Sequence, residues 1–178
     1  MFLKKIKSLY RKSFWPLERQ ARYAGVKMGE NNFISSRFWS SEAYLITIGN
    51  YCGITKGVRF FTHGGARSVR RTYPQFDCFG KIIIGDYVYI GSNSLIMPGV
   101  TIGDNVLIAA GSVVTKSVPS NVVVGGNPAR IVCTIEEYIE RNLPYNLNSK
   151  GMNTEEKKRM LLQLPEDKFI KKNFMRKL

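Results

Sequence analysis

The 178-residue chain has one histidine and three cysteines, and it has no apolar run near the roughly 18–20 residues that a membrane-spanning helix needs. The N-terminus, MFLKKIKSLYRKSFW, breaks its apolar residues with lysine every few positions, so it lacks the continuous apolar stretch of a secretion signal. Cys52, Cys78 and Cys133 are odd in number and far apart. That fits free thiols in a reducing compartment better than a disulfide framework or a zinc site. The expected location is the cytoplasm. A lone imidazole also excludes a three-histidine zinc centre, and no metal is expected.

Acidic residues are scarce too. Lys and Arg number 27 against 13 Asp and Glu, a net charge of +14. The excess is uneven: seven basic residues against one acid over 1–24, ten against five over 25–133, and ten against seven over 134–178. The chain therefore reads as a basic N-terminal helical segment (1–24), a central domain (25–133) and a helical C-terminal segment (134–178). No zinc-finger, homeodomain or RNA-recognition signature accompanies the charge, so no nucleic-acid partner is expected and the charge is left a steering role.

What is abundant is a repeat of six. From Ile84 the sequence runs IGDYVY, IGSNSL, IMPGVT, IGDNVL, IAAGSV, VTKSVP, with an aliphatic at 84, 90, 96, 102, 108 and 114. Four places after each stands a small or β-branched residue: Val88, Ser94, Val100, Val106, Ser112 and Val118. The same register leads with Ile48, Ile54 and Phe60, and more faintly with Met28 and Ile34. A six-residue period drifts around a helix of 3.6 residues per turn and builds no apolar stripe. It suits a short strand plus a turn, with the lead residue and its i+4 partner inward and coils stacked about 4.8 Å apart. The fold class is all-β, a stacked parallel β-helix.

The register fails between Phe60 and Ile84, so THGGARSVRRTYPQFDCFGK, 62–81, reads as a loop leaving the stack. Structureless loops beyond about 12–15 residues in a compact domain are usually functional or disordered. This one holds the only imidazole, His63. Imidazole titrates near neutrality and is suited to take a proton from a hydroxyl at pH 7. Asp77, in the same loop, is the carboxylate expected to orient the ring. Arg67, Arg70 and Arg71 fit two readings equally, an anchor for an acidic glycan or carrier phosphate, or solvation of the loop.

The segment from Ile84 to Arg130 resembles the hexapeptide-repeat acyltransferases, which include galactoside, maltose and capsule-sugar O-acetyltransferases and xenobiotic acetyltransferases. PGVTIGDNVLIAAGSVVTKSVPSNVVVGGNPAR, residues 98–130, is the most specific piece, and the likeness extends over about 26–133. The resemblance implies a left-handed helix with three hexads per coil, a homotrimer with sites between subunits, and acetyl-CoA as acyl donor. His63, ending GVRFFTH, stands where that family keeps its catalytic histidine. Ser92 matches the serine whose amide or hydroxyl faces the thioester and supplies oxyanion stabilisation. Tyr89 stands where the sugar enzymes carry a tryptophan beside the thiol. Ala110 and Gly111 resemble the small residues along the pantetheine arm; Thr115, Lys116 and Arg130 match contacts to the adenosine end. The Asn and Asp with which galactoside-type enzymes position the acceptor have no match in FISSRFWSSEAYLI, which leaves the acceptor open.

The function implied is acetyl-CoA-dependent O-acetylation of a saccharide, free or lipid-linked, in surface-polysaccharide assembly (capsule or lipopolysaccharide), with His63 as general base and no covalent enzyme intermediate. N-acetylation of an amino sugar or antibiotic needs the same base and stays open. A non-catalytic β-helix scaffold is disfavoured by the presence of both His63 and the VTK and NPAR signatures. At the ends, apolar residues at helical spacing over 2–14 suit a basic helix that either packs on the β-helix or lies on the inner membrane as a peripheral contact. Thr134 with Glu137, and Asn153 with Glu156, mark two C-terminal helix starts, ended near Pro144 and by Pro165.

Overall fold

The computed structural model describes residues 13–65 and 67–175. The chain divides into two compact units, Met1–Ile135 and Glu136–Leu178. In the first unit, helix α1 (Leu17–Ala24) ends at Gly25, whose φ of 112° is the left-handed conformation of a helix stop. Arg22 on its last turn donates to the carbonyls of Met28 and Gly29, at 2.6 Å each, and pairs with Glu18 at 2.8 Å. Ala21 is fully buried in the core with Val26 and Ala43. This part of the N-terminal segment thus packs on the start of the strand stack; the helix expected over 2–14 falls, except for residues 13 and 14, outside the described residues.

The strands that follow are mostly two or three residues long and form three parallel faces. The first holds β1 (Lys27–Met28), β3 (Ile46–Ile48), β8 (Ile82–Ile84) and β11 (Thr101–Ile102) in that order. The second stacks β2 (Phe33–Ile34), β4 (Gly53–Ile54), β9 (Tyr89–Ile90), β12 (Leu107–Ile108) and β14 (Val122–Gly126), with β15 (Ala129–Thr134) antiparallel at its edge. The third stacks β5 (Arg59–Phe60), β10 (Leu95–Ile96) and β13 (Val113–Val114), continued by a bridge from Phe38 to Arg59. The chain visits the faces in rotation.

The hexad dictates this arrangement. Tyr89 lies opposite Leu107 and Leu95 opposite Val113, each 18 positions on, which is three hexads. The lead residues Ile84, Ile90, Ile96, Ile102, Ile108 and Val114 are all at most 2% exposed, as are their partners Val88, Ser94, Val100, Val106 and Ser112. Burying each isoleucine contributes about 2 kcal/mol. The two serines fit the interior because their hydroxyls are satisfied: Ser94 donates to Gly91 O at 2.7 Å and Ser112 to Ala109 O at 2.6 Å. The third residue of IGN and IGD has its own task. Asn50 N–H donates to Asp86 Oδ1 at 2.7 Å, Asp86 N–H to Asp104 Oδ1 at 2.8 Å, and Asp104 N–H to Ser120 Oγ at 2.9 Å, a column that satisfies one corner of every coil.

Between Arg59 and Leu95 the pairing distance is 36 positions, one coil's worth more than the regular 18. The surplus is the 62–81 loop. It is not structureless: β6 (His63–Gly64) pairs antiparallel with β7 (Cys78–Phe79), and a 3-10 turn spans Val69–Arg71. Strands of two residues are too short to show a period of two, so the sequence carried no sign of them. Gly80 N–H donates to Thr62 O at 2.8 Å, closing the root of the loop. A Cβ on Gly80 would strike the backbone of Pro98 and Gly99, so only glycine lets the root sit against the next coil.

In the second unit, α2 (Ile135–Asn142) leads into a 3-10 turn, Leu143–Tyr145, that contains Pro144. Helix α3 (Thr154–Leu162) starts with a full capping box: Glu156 N–H donates to Asn153 Oδ1 at 2.9 Å and Asn153 N–H to Glu156 Oε2 at 3.4 Å. A 3-10 turn at Glu166–Lys168 follows Pro165. All three cysteines are free thiols, and burial pushes the Cys52 thiol above its ordinary pKa. Among the described residues no helix is long and apolar enough to cross a membrane.

Candidate active site

His63 leaves the third face just after β5 and is held by the β6–β7 pair. Its ring is 41% exposed, with Phe79 edge-on at 6.3 Å. Its Nδ1 lies 2.7 Å from Oε2 of Glu42. The same carboxylate oxygen accepts from the fully buried Thr62 hydroxyl at 2.9 Å and from Ser40 at 3.4 Å. Hydrogen bonding from His63, helped by Thr62 and outweighing partial burial, holds the Glu42 carboxyl down at about 2. Glu42 is therefore an anion at neutral pH and can only accept. The shared proton belongs to Nδ1, and Nε2 is the nitrogen free to take a proton from something else.

This corrects the expectation for Asp77. Its Oδ1 accepts Cys78 N–H at 3.1 Å and lies 3.7 Å from Arg70, an ion pair within the loop. Glu42, rather than Asp77, is on the ring. Sequence reading missed Glu42 because it lies 21 positions before His63, in a stretch where the hexad register is broken. A signal was available: Glu42 is the sole acid between Glu30 and Asp77.

Of the three loop arginines, Arg70 is exposed yet tied to the loop itself, its Nε donating to Phe76 O at 2.9 Å. Arg67 and Arg71 are exposed.

The other expected site residues gather elsewhere in the first unit. Ser92 stands at the turn between β9 and β10, and its hydroxyl donates to Thr55 Oγ1 at 3.2 Å. Thr55 in turn donates to Ile90 O at 2.6 Å, so the Ser92 proton is committed to it. Gly111 N–H donates to Ser92 O at 2.8 Å, which sets Ala110 and Gly111 directly on the next coil. Gly111 has φ of 72°, and a Cβ there would meet nothing within 4 Å, so the backbone is open to an approaching chain. Tyr89 is half-exposed on β9, its ring against Gly53. Lys116 and Arg130 line one cavity of about 380 Å³ with Val114, Ser117, Pro119 and Ile131. Thr115 is exposed beside Lys116.

These two groups are not adjacent in one chain. Ser92 precedes β10, His63 follows β5, and β5 and β10 run parallel, so they flank opposite ends of the third face. A base at one end of this face, an open backbone at Ser92 and Gly111 at the other, and a cationic cavity beyond β13 are the equipment of group transfer from a long phosphorylated carrier.

Comparison with known proteins agrees. The family model for bacterial transferase hexapeptide (six repeats) matches residues 81–116. Protein CapG of Staphylococcus aureus is 49% identical over 149 residues, 82% of this chain and 87% of its own length. Galactoside O-acetyltransferase of Escherichia coli K12 is 35% identical over 116 residues; the chain spans 64% of itself and 56% of that enzyme there. The hexapeptide-repeat acetyltransferase of Vibrio cholerae O1 biovar eltor, solved in complex with acetyl coenzyme A, superposes with a TM-score of 0.57 at 25% identity, over 71% of this chain and 81% of that one. The chain belongs to the hexapeptide-repeat acyltransferase family. It is an acetyltransferase.

Proposed function

We propose that the protein transfers acetyl from acetyl-CoA to a saccharide hydroxyl in the assembly of a surface polysaccharide, through direct attack assisted by His63. Acetyl-CoA is the donor, as in the Vibrio complex, and the enzyme is of the sugar O-acetyltransferase type. The observation that carries the reading is the His63–Glu42 pair, which leaves Nε2 bare for the acceptor. Nε2 takes the hydroxyl proton as the oxygen attacks the thioester carbonyl. The tetrahedral intermediate collapses by breaking the C–S bond, and the proton passes from Nε2 to the departing coenzyme A thiolate. Because the Ser92 hydroxyl proton is engaged by Thr55, its backbone N–H is the oxyanion donor in this scheme, a contribution of about 3 kcal/mol for such a donor.

The donor runs along Tyr89, Ala110 and Gly111 toward Thr115, Lys116 and Arg130, whose cations suit its phosphates. His63 and Ser92 flank opposite ends of one face, so the complete site draws the base from one subunit and the donor groove from its neighbour in a homotrimer. The coils wind left-handed in this reading, on the strength of the family relationship alone. Free, widely spaced thiols fit a cytoplasmic location, and a lipid-linked acceptor would bring the basic N-terminal segment to the inner membrane as a peripheral contact.

The test is release of free thiol from acetyl-CoA across a panel of mono- and oligosaccharides. Thiol release coupled to acetylated sugar is expected. His63→Ala should lower kcat by roughly 10²–10⁴-fold with coenzyme A affinity nearly intact; unchanged turnover removes the base assignment.

A further inference from the structure

The proposed function leaves the acceptor's chemistry open, and the loop carrying His63 narrows it. Residues 62–81 hold Arg67, Arg70, Arg71 and Lys81 against a single acid, Asp77. Arg70 and Asp77 are spent on each other and on the loop backbone, through Phe76 O and Cys78 N–H. Glu42, the next carboxylate, has its Oε2 filled by His63, Thr62 and Ser40. Arg67 and Arg71 remain, both exposed and without an ion pair among the described residues. Arg71 ends, and Arg67 precedes by two positions, a 3-10 turn that begins six positions after the base. Like charges held together in a short ordered loop repel one another, and a bound anion relieves that repulsion. The Arg70–Asp77 staple fixes the loop that presents them.

We infer that the acceptor is an anionic saccharide, its carboxylate or phosphate held by Arg67 and Arg71 while a hydroxyl of the same molecule reaches His63. Guanidinium binds both oxyanions through paired N–H donors. This rests on the proposed transfer to a saccharide and adds its charge.

The experiment measures thiol release by the full chain with three acceptors matched in sugar: a uronic-acid oligosaccharide, its carboxyl-reduced neutral counterpart, and a glycosyl phosphate. One anionic acceptor should exceed the neutral one in kcat/KM by about tenfold, with the preference shrinking as salt is raised toward 1 M. The uronate and phosphate arms identify which anion is used. Arg67→Ala and Arg71→Ala should each raise KM for that acceptor roughly tenfold and leave KM for acetyl-CoA unchanged. Arg71→Lys should lie between, since it keeps the charge and loses the fork. A neutral acceptor used equally well, or arginine variants indistinguishable from the parent, overturns the inference while sugar acetylation stands. No thiol release with any of the three or with the wider sugar panel overturns the function and the inference together.

Discussion

The Nδ1 of His63 and the Oε2 of Glu42 are 2.7 Å apart, joining the loop to a segment 21 positions earlier. The contact fixes the ring's tautomer and its direction together. Neither the loop nor the 35–45 stretch has hexad register, yet each supplies one half of the pair.

Replacing the carboxylate should therefore slow the chemistry without touching donor binding. Glu42→Gln keeps the shape but can offer its NH₂ to Nδ1, which drives the ring proton to Nε2. We expect kcat to fall roughly 10–100-fold, less than complete removal of the base costs. KM for acetyl-CoA should stay within about twofold. Steady-state kinetics with acetyl-CoA varied at saturating acceptor checks both. An unchanged kcat would mean the carboxylate is only structural.

The same pair predicts a pH dependence of stability. Glu42 titrates at about 2 in the folded chain, below the ordinary glutamate value near 4.3. A depressed folded pKa gives stability that is fully present above the unfolded value and is lost as pH falls through the folded one. The difference in urea midpoint between the parent and Glu42→Gln should thus hold steady above about pH 5, narrow between pH 4 and 2, and vanish below. Equilibrium urea titrations at four or five pH values measure it. A difference that stays constant down to pH 2 contradicts the pairing.

Much of the architecture was legible because Ile84 through Val118 repeat one local solution six times. Aliphatic leads inward and small partners inward are each enforced by burial, and the structure keeps every one of those leads buried. Glu42 was illegible for the opposite reason. Its contact to His63 depends on how an irregular turn and an inserted loop meet, and a periodic signal says nothing about either. The corner at Tyr51 and Tyr87 was equally hidden. Equivalent corners carry Asn31, Asn105 and Asn121, which tolerate positive φ, whereas the two tyrosines adopt it at 55° and 56° and stack at 4.9 Å. Stacking, about 1 kcal/mol, offsets a conformational cost of similar size.

The Ser92 geometry separates two oxyanion donors that the sequence left joined. Its hydroxyl proton points to Thr55, so the backbone N–H is the group available to a thioester oxygen. Ser92→Ala keeps that N–H and should reduce kcat by less than about tenfold. A drop of 10²–10³, the usual effect of losing one oxyanion-hole donor, would assign the role to the hydroxyl. Thr55→Val tests the partner: freeing the Ser92 hydroxyl should leave kcat within about threefold if the amide is the donor, again judged against that 10²–10³ scale.

Lys116 and Arg130 approach one cavity from β13's end and from β15. If both meet the phosphates of the donor, removing either should appear in KM for acetyl-CoA and not in kcat, since the contact is the same before and during reaction. Both side chains are exposed, so each loss is worth about 1 kcal/mol, or roughly fivefold in KM. Lining one cavity, they should also couple: the double variant Lys116→Ala with Arg130→Ala should depart from the product of the single effects by about twofold or more. The penalty should shrink with added salt, because exposed charges are screened over about 10 Å at 0.1 M. Varying acetyl-CoA from low to high ionic strength with all four proteins measures these effects in one experiment. A kcat loss with KM unchanged would place the two cations near the reacting carbon instead of at the carrier's far end.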